Sequence, residues 1–407
     1  MNCRHCQNKL THVFCDLQTC PPSNAMVNME RVNHPETYFP LKVFVCEKCW
    51  LVQVDEIEKA EAIFNEEYTY YSSFSTSWLV HAKKYTDDMT ERFGYDSNSL
   101  VVEIASNDGY LLQYFKEKNI PVLGVEPTAN TAKVAKEKGI ETIVDFFGSR
   151  LAEDKLKGKA DLILGNNVLA HVPDINDFVK GVKYALKSNG VNTFEFPHLC
   201  KLIELNQFDT IYHEHFSYLS LTAVKKIFEE QGLEIFDVEE LSTHGGSLRI
   251  FTKHKEDNSH KIEQSVNNIL KKERELGIDT MAYYQNFQNK VDKIKYGFWT
   301  FLIEQKKANK KVIGYGAAAK GNTLLNYCGV KGNDLVKFVV DASPYKQNKL
   351  LPGSRIPVYG KEKIEEYRPD FIIIFPWNLK EEISAQLSYT KEWNSKFVTV
   401  IPELLIF

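Results

Sequence analysis

The sequence predicts an α/β chain in three parts: a small N-terminal domain stapled by a metal, then two parallel-sheet domains joined by a helical connector. Three observations predict it. Two CxxC pairs lie in the first fifty residues. Short apolar runs alternate with helix-patterned stretches twice, over 100–197 and again over 311–401, the signature of strands covered by helices on both faces. Between them, 254–310 is rich in Lys, Glu, Asn and Gln, with apolar residues at helical spacing. The boundaries expected are 1–75, 76–253, 254–310 and 311–407.

Length and composition narrow the class first. A chain of 407 residues with 43% hydrophobic, 26% charged and 12% aromatic residues can bury sizeable cores, which excludes a disordered, collagenous or coiled-coil protein. The net charge of −4 gives no general electrostatic footprint for nucleic acid. No apolar run approaches the roughly 20 residues that cross a bilayer. The first nine residues lack the apolar core of a secretory signal. A cytoplasmic protein without a membrane partner, read as a monomer, is the expectation.

In 1–75, Cys3-Arg-His5-Cys6 and Cys46-Glu-Lys-Cys49 each place two thiolates on one tight turn. Two such turns complete a closed tetrahedral site of four cysteines, so structural zinc is expected, and no catalytic position is left open. His5 is an alternative ligand. Cys15 and Cys20 fit a ligand pair less well. A block this small buries little core, which is why a metal staple makes sense there.

In 76–253, the runs at 100–105, 122–126, 141–144, 161–165 and 191–196 read as strands, with helices at 110–118, 130–138 and 175–186. The stretches 234–238 and 247–251 are expected to add a last, antiparallel pair. Glu103-Ile-Ala-Ser106-Asn107-Asp108-Gly109 leaves the first strand and opens a helix, at the sheet edge where such folds bind ligands. Gly109 would let the chain turn and a bulky ligand come close. Glu126 ends the second strand, where a carboxylate accepts ribose hydroxyls. Asp145 and Phe146 follow the third, suited to an adenine amine and face. Asn166 ends the fourth. The strict GxGxxG of a dinucleotide site is absent. Acid-rich edges suit instead a cofactor with positive charge and no phosphate, and S-adenosylmethionine is such a molecule.

The densest ionisable cluster is Asp209-Thr-Ile-Tyr212-His213-Glu214-His215-Phe-Ser-Tyr218. It is not HExxH, so no catalytic zinc is implied. On a helix Glu214 and His215 would diverge; on a loop they could converge on one substrate. His171 falls at the same sheet edge, and His244-Gly-Gly-Ser-Leu-Arg249 forms a glycine turn before a strand. Tyr68, Tyr70 and Tyr71 cluster at the exit of the first block, with Tyr70 the choice to reach the cleft.

In the connector, Ile262, Val266, Ile269 and Leu270 mark amphipathic helices. Their charges read as a solvated linker face. In 311–407, Gly314-Tyr-Gly316-Ala-Ala-Ala-Lys320-Gly321 follows a strand and opens a helix, a Rossmann-like turn suited to a diphosphate. Asp341 ends the next strand, and Trp377 and Asn378 follow a third.

These pieces together resemble the S-adenosylmethionine-dependent nucleotide-sugar C-methyltransferases, including the C-3 methyltransferases of deoxysugar pathways. The likeness spans the whole chain. The most specific parts are the paired CxxC motifs, Tyr212-His-Glu-His-Phe-Ser-Tyr, His244-Gly-Gly-Ser-Leu-Arg and Gly314-Tyr-Gly-Ala-Ala-Ala-Lys-Gly. The resemblance implies a class I methyltransferase middle domain and a 4-keto-6-deoxy sugar substrate on a dTDP or GDP carrier. It further implies His215 as base, with Tyr212, Glu214, His171 and a tyrosine, taken as Tyr70, beside it. Glu214 would orient the His215 ring and favour its charged form. Gly316, Lys320, Asp341, Trp377 and Asn378 would bind the carrier. The alternatives are an O- or N-methyltransferase of the same sugars, a nicotinamide-linked oxidoreductase, and a non-catalytic nucleotide-sugar binder.

Overall fold

The computed structural model describes residues 1–57, 59, 60, 64 and 70–407. Tyr68 lies outside them. In the N-terminal block, His12–Cys20, Phe39–Val45 and Val52–Val54 form an antiparallel sheet. Leu41, Val43 and Val45 alternate inward, the period-2 pattern of a half-buried strand. The fourth strand, Ser217–Tyr218, comes from the middle domain and pairs with Gln53 and Val52. The zinc-bearing block is therefore completed by the segment that carries the reactive cluster.

The middle sheet has seven strands, in the order Leu233–Leu241, Ser247–His254, Leu186–Pro197, Ala160–Asn166, Val101–Ile104, Val122–Val125 and Thr142–Ile143. The five from Leu186–Pro197 onward are parallel. Ser247–His254 runs antiparallel to both its neighbours, as the apolar patterning leads one to expect. Every side chain of Val101–Ile104 is buried, which fits a central strand covered on both faces. The order reverses beside it, so the loop after Ile104 opens at the switch point where such sheets take ligands.

The C-terminal sheet orders Val358–Tyr359, Val339–Val340, Val312–Tyr315, Phe371–Ile374, Lys396–Thr399 and Leu405–Ile406, and only the last strand is antiparallel. One apolar cluster joins all parts. It holds Phe14 and Val43 from the first block, Phe208 and Phe216 from the middle, and Phe298, Leu325 and Phe375 from the C-terminal third. Burying one large apolar side chain contributes about 1.5–3 kcal/mol, so this shared core fixes the domains against one another.

The connector forms the amphipathic helices its spacing predicts, with one charge turned inward against expectation. The helix Gln264–Leu276 puts Val266 and Ile269 into the middle core, while Ile262 precedes the helix and is exposed. Glu273 is fully buried and receives the amides of Leu221 and Thr222 at 2.7 and 2.8 Å, so it caps the helix Leu221–Glu230. The helix Phe287–Lys307 places Val291, Phe298 and Leu302 in the shared core. Its charges cover one face only. Among the described residues no helix is long and apolar enough to cross a membrane.

Candidate active site

The four cysteines of the CxxC pairs converge, with all four Sγ atoms within 4.8 Å of one another. Cys3 and Cys49 are 3.5 Å apart, as are Cys6 and Cys46. Zn–S bonds of about 2.3 Å in a tetrahedron place sulfurs roughly 3.8 Å apart, so the donor set fits zinc. His5 is not in the set: its Nδ1 lies 2.9 Å from Asn176 Oδ1. Cys15 and Cys20 are buried thiols elsewhere in the block, and burial pushes Cys20 up to about 12.

At the first sheet edge, Asn107 adopts a positive φ of 49° and clasps the segment beyond the zinc block. Its Oδ1 accepts from Ser72 N at 2.9 Å and its Nδ2 donates to the Tyr70 carbonyl at 3.0 Å. Ser73 Oγ donates to Asp108 Oδ2. Glu126 accepts from Asn107 N at 2.8 Å and from Thr128 N at 2.9 Å, so much of its capacity goes to holding the loop. Gly109, with φ of 73°, makes the turn as expected. A Cβ there would strike Ile140 and Ala135, not a cleft, so its small size serves loop packing and not the approach of a ligand.

This edge nonetheless keeps polar capacity. Among the described residues, Ser106 Oγ, Asp108 Oδ1 and Asn167 Oδ1 are buried without hydrogen-bond partners, and Glu103 and Asn166 Nδ2 are buried with only loosely placed neighbours such as Tyr110. Burial raises Glu103 well above the usual carboxylate range. Unpaired buried polar atoms are costly, and a ligand with hydroxyl, ammonium and amine donors, plus a carboxylate to accept from Asn166, satisfies them. The residues thus fit S-adenosylmethionine. Asp145 and Phe146 stand exposed at the same edge, with Asp145 Oδ1 accepting from Phe146 N at 2.8 Å.

The segment 211–216 is a turn, so Tyr212, Glu214 and His215 project from a loop. His215 stacks close to Tyr212, ring centroids 4.0 Å apart, and meets the edge of His171 at 4.6 Å. Its Nδ1 lies 2.9 Å from the Thr210 carbonyl. A carbonyl only accepts, so Nδ1 carries the proton and Nε2 the lone pair. Burial, reinforced by His171, His244 and Lys320, holds the His215 pKa well below its ordinary value. The ring is a neutral base.

Two expectations change here. The Thr210 carbonyl, not Glu214, orients His215 at Nδ1, and the charged ring is disfavoured. Glu214 Oε1 instead accepts from Asn24 Nδ2 of the zinc block at 2.7 Å, which ties the reactive loop to that block. His171 bonds the Glu214 backbone carbonyl, its Nδ1 makes no hydrogen bond, and burial pulls it down to about 4. His213 points away, its Nε2 3.2 Å from the Pro40 carbonyl. Tyr70 lies near Tyr110 and Tyr212 and is exposed. Tyr71 turns outward and stacks on Tyr345 of the C-terminal domain, centroids 5.4 Å apart.

The second sheet edge is arranged differently from its sequence reading. Asp341 spends one oxygen on Ala317 N at 2.7 Å and the other on Ser343 N at 2.8 Å. A Cβ on Gly316 would meet Pro376 at 2.5 Å. Both therefore build the turn and leave little of a diphosphate cradle. Lys320 is held within its own domain but lies close enough to Asp209, His215 and His244 for its charge to act on them. Its Nζ donates to Asn378 Oδ1 at 2.9 Å and sits 4.6 Å above the Trp377 ring. Trp377 Nε1 donates to Asp209 Oδ2 at 2.8 Å, and the ring packs on Gly245 of the glycine turn. Lys320, Trp377 and Asn378 thus face the His215 cluster.

Sequence reading missed a buried network beneath it. Glu195 accepts from Arg249 Nη2 at 2.8 Å and Thr243 Oγ1 at 2.7 Å, and pairs with His81 Nε2 at 2.8 Å. Burial alone would raise Glu195, but His81 and Arg249 outweigh it and hold it at about 2. Thr243 in turn carries the His244 turn, and His244 Nε2 accepts from Asn167 Nδ2 at 2.7 Å. A lone carboxylate inside the apolar run 191–196 was the available signal. Asp209, quoted with the motif but given no role, is 1% exposed and pushed by burial up to about 6.

Family models match three consecutive segments: a zinc binding domain over residues 3–64, a methyltransferase domain over 79–238, and a C-methyltransferase C-terminal domain over 242–402. The C-methyltransferase NovU of Streptomyces niveus is 36% identical over 370 residues, 90% of this chain and 87% of its own. Among solved structures, the PH0226 protein of Pyrococcus horikoshii OT3 aligns at 16% identity and a TM-score of 0.37, over 46% of this chain and 95% of its own. An S-adenosylmethionine-dependent methyltransferase of Clostridium acetobutylicum ATCC 824 aligns at 12% identity and 0.34, over 42% and 90%.

Proposed function

Because this chain belongs to the C-methyltransferase family, we propose that it methylates C-3 of a nucleotide-linked 4-keto-6-deoxy sugar in the cytoplasm, in a branched-chain deoxysugar pathway. It is an S-adenosylmethionine-dependent enzyme with a zinc-binding domain. The observation that carries the substrate reading is His215, a half-buried neutral imidazole whose Nδ1 is spent on the Thr210 carbonyl, which leaves the Nε2 lone pair to act as base.

Carbon is a nucleophile only once a proton has left it. A ketone at C-4 makes the C-3 hydrogen acidic, because the charge moves onto oxygen. His215 Nε2 accepts that proton, a general-base step worth about 10²–10⁴-fold. Thr210 fixes the ring and its tautomer. Tyr212, with burial raising its pKa far above the usual phenol range, stays protonated and can donate to the enolate oxygen. Tyr70 stands beside it. His171 is neutral and has one ring N–H, which the Glu214 carbonyl takes, so it shapes the pocket and keeps His215 uncharged. Glu103, Ser106, Asn107, Asp108, Glu126 and Asn166 would hold S-adenosylmethionine, with Asp145 and Phe146 at the adenine end. Bound there, it supplies an electrophilic methyl. Holding both reactants in register provides much of the rate. On the carrier side, Lys320, Trp377 and Asn378 meet the sugar, whereas Gly316 and Asp341 act by shaping the turn that bears Lys320.

Mass spectrometry on a small substrate panel tests the reading. dTDP- and GDP-linked 4-keto-6-deoxyhexoses are incubated with enzyme and S-adenosylmethionine, beside their 4-hydroxy counterparts. A gain of one methyl on a keto sugar alone is expected, and it identifies the carrier. Gain on the 4-hydroxy sugars as well would replace C- by O-methylation at this site.

A further inference from the structure

Proton transfer to a neutral histidine separates charge within the site. When the C-3 proton leaves, the C–H electron pair becomes the C-3/C-4 double bond, and the carbonyl π pair moves onto the C-4 oxygen. His215 Nε2 keeps the proton and becomes an imidazolium that faces C-3, so the C-4 oxygen needs a donor or cation of its own. The oxygen gains a full negative charge in a buried setting, where an opposing charge is worth far more than in water. His215 has given its other nitrogen's proton to Thr210, and His171 has given its N–H to Glu214. Tyr212 offers a neutral donor only.

Lys320 is the cation aimed at this cluster. It begins the helix Ala319–Tyr327, whose next turn is locked to the other two domains: Asn322 Nδ2 donates to Ser23 O at 2.6 Å, and Thr323 Oγ1 to Ile211 O at 2.9 Å. The ammonium is held by Asn378 Oδ1 and the Trp377 face, and among the described residues it forms no ion pair within 4.0 Å. Burial lowers the Lys320 pKa, Asp209 beyond Trp377 opposes that as a countercharge, and the Lys320 charge is felt by both His215 and His244. A lysine gripped by a neutral amide and an indole keeps its charge available to a third party. A lysine meant for a diphosphate would sit with free turn amides, yet Asp341 occupies the amide of Ala317.

We propose that Lys320, delivered by the C-terminal domain, is a catalytic residue whose Nζ stabilises the enolate oxygen at C-4, with Trp377 and Asn378 as its positioning residues. This rests on the keto-sugar reading above. It also gives the C-terminal domain a part in the chemistry, beyond carrier binding.

Deuterium exchange at C-3, followed by mass spectrometry with S-adenosylhomocysteine present and no methyl donor, isolates the enolate step. The dTDP- and GDP-linked 4-keto-6-deoxyhexoses are assayed separately. Lys320→Met is expected to slow exchange and kcat together, on the order of 10²–10³-fold as for loss of one oxyanion donor, with little change in KM. Retained S-adenosylmethionine binding shows that the variant is folded. Should it fail to fold, Asn378→Ala loosens Nζ without deleting it, and a smaller drop in exchange at unchanged KM is expected. Addition of ethylammonium to Lys320→Ala should restore part of the exchange. Unaltered exchange with a raised KM would overturn the proposal and make Lys320 a carrier ligand. Absence of exchange in the unaltered enzyme with every keto sugar would overturn the keto-sugar reading, and the role of Lys320 with it.

Discussion

The two parallel sheets meet the active site with the same kind of turn and opposite contents. At the end of Val101–Ile104 and just beyond it, the first sheet presents Ser106 and Asp108 with buried atoms that bond nothing in the protein, and Glu103 with a buried carboxyl near Tyr110. After Tyr315 the second sheet presents Asp341 with both oxygens spent on its own loop, and Gly316 pressed on Pro376. One edge is a receptacle and the other an arm. A glycine-rich strand–helix turn is compatible with both uses. Unspent hydrogen-bond capacity tells them apart, because a protein that buries unpaired polar atoms must recover their cost from a ligand.

The largest effect should come from breaking the frame that holds both edges. Cys46→Ser with Cys49→Ser removes half of the zinc set, and structural zinc contributes on the order of 10 kcal/mol or more to small metal-stapled folds. Metal analysis should fall from one zinc per chain to none. Hydrogen exchange should show loss of protection in 12–54 and, through Asn24 and the shared sheet, in 211–218. Protection that stays intact at 211–218 would separate the zinc block from the site.

His215→Asn is expected next, lowering kcat on the order of 10²–10⁴-fold while calorimetric cofactor binding holds. Unchanged turnover would remove His215 as the base. The contrast between the edges is tested directly by a pair. Glu103→Gln should weaken S-adenosylmethionine binding about tenfold or more, the worth of a hydrogen bond to a charged group. Asp341→Asn should leave that affinity alone and cost about 1–3 kcal/mol of thermal stability through its two loop amides. If the two variants lose cofactor equally, the distinction between receptacle and arm fails.

The smallest effect is on pH dependence. His171 and His244 are held near 4 by burial, below the roughly 6.5 of an unfolded histidine. The unfolded chain therefore binds more protons between those values, so stability is full above about 6.5 and declines as pH falls toward 4. Glu195, held at about 2, adds stability above the ordinary glutamate range that is lost on further acidification. Thermal melts from pH 8 to 3 should trace both stages. A melting temperature that rises on acidification from pH 7 to 5 would contradict the neutral histidines.

Much of the fold was legible because it depends on local pattern. Apolar runs such as 161–165 are strands wherever a sheet is covered on both faces, and the spacing of Cys3, Cys6, Cys46 and Cys49 is short enough for turn geometry to dictate convergence. The reactive loop was legible as well, since Tyr212, Glu214 and His215 cluster in sequence. Their individual partners were not. Glu214 looks like the neighbour that should steer His215, yet Asn24, 190 residues away, takes its carboxylate. The connector misled for a related reason: a charge-rich composition does not reveal that Glu273 lies on the inner face, capping a helix.

The sequence alone showed each CxxC turn, the two βα series and the clustering of Tyr212, Glu214 and His215, because each is set within a few turns of chain. Only the tertiary structure decided which nitrogen of His215 is free, which acidic side chains are already satisfied, and that Lys320, held by Asn378 and Trp377, lies close enough to His215 for its charge to act there. Those outcomes depend on contacts between residues one to three hundred positions apart. They follow from burial and from the directions in which packed elements aim their side chains, and neither is encoded in the spacing of a motif.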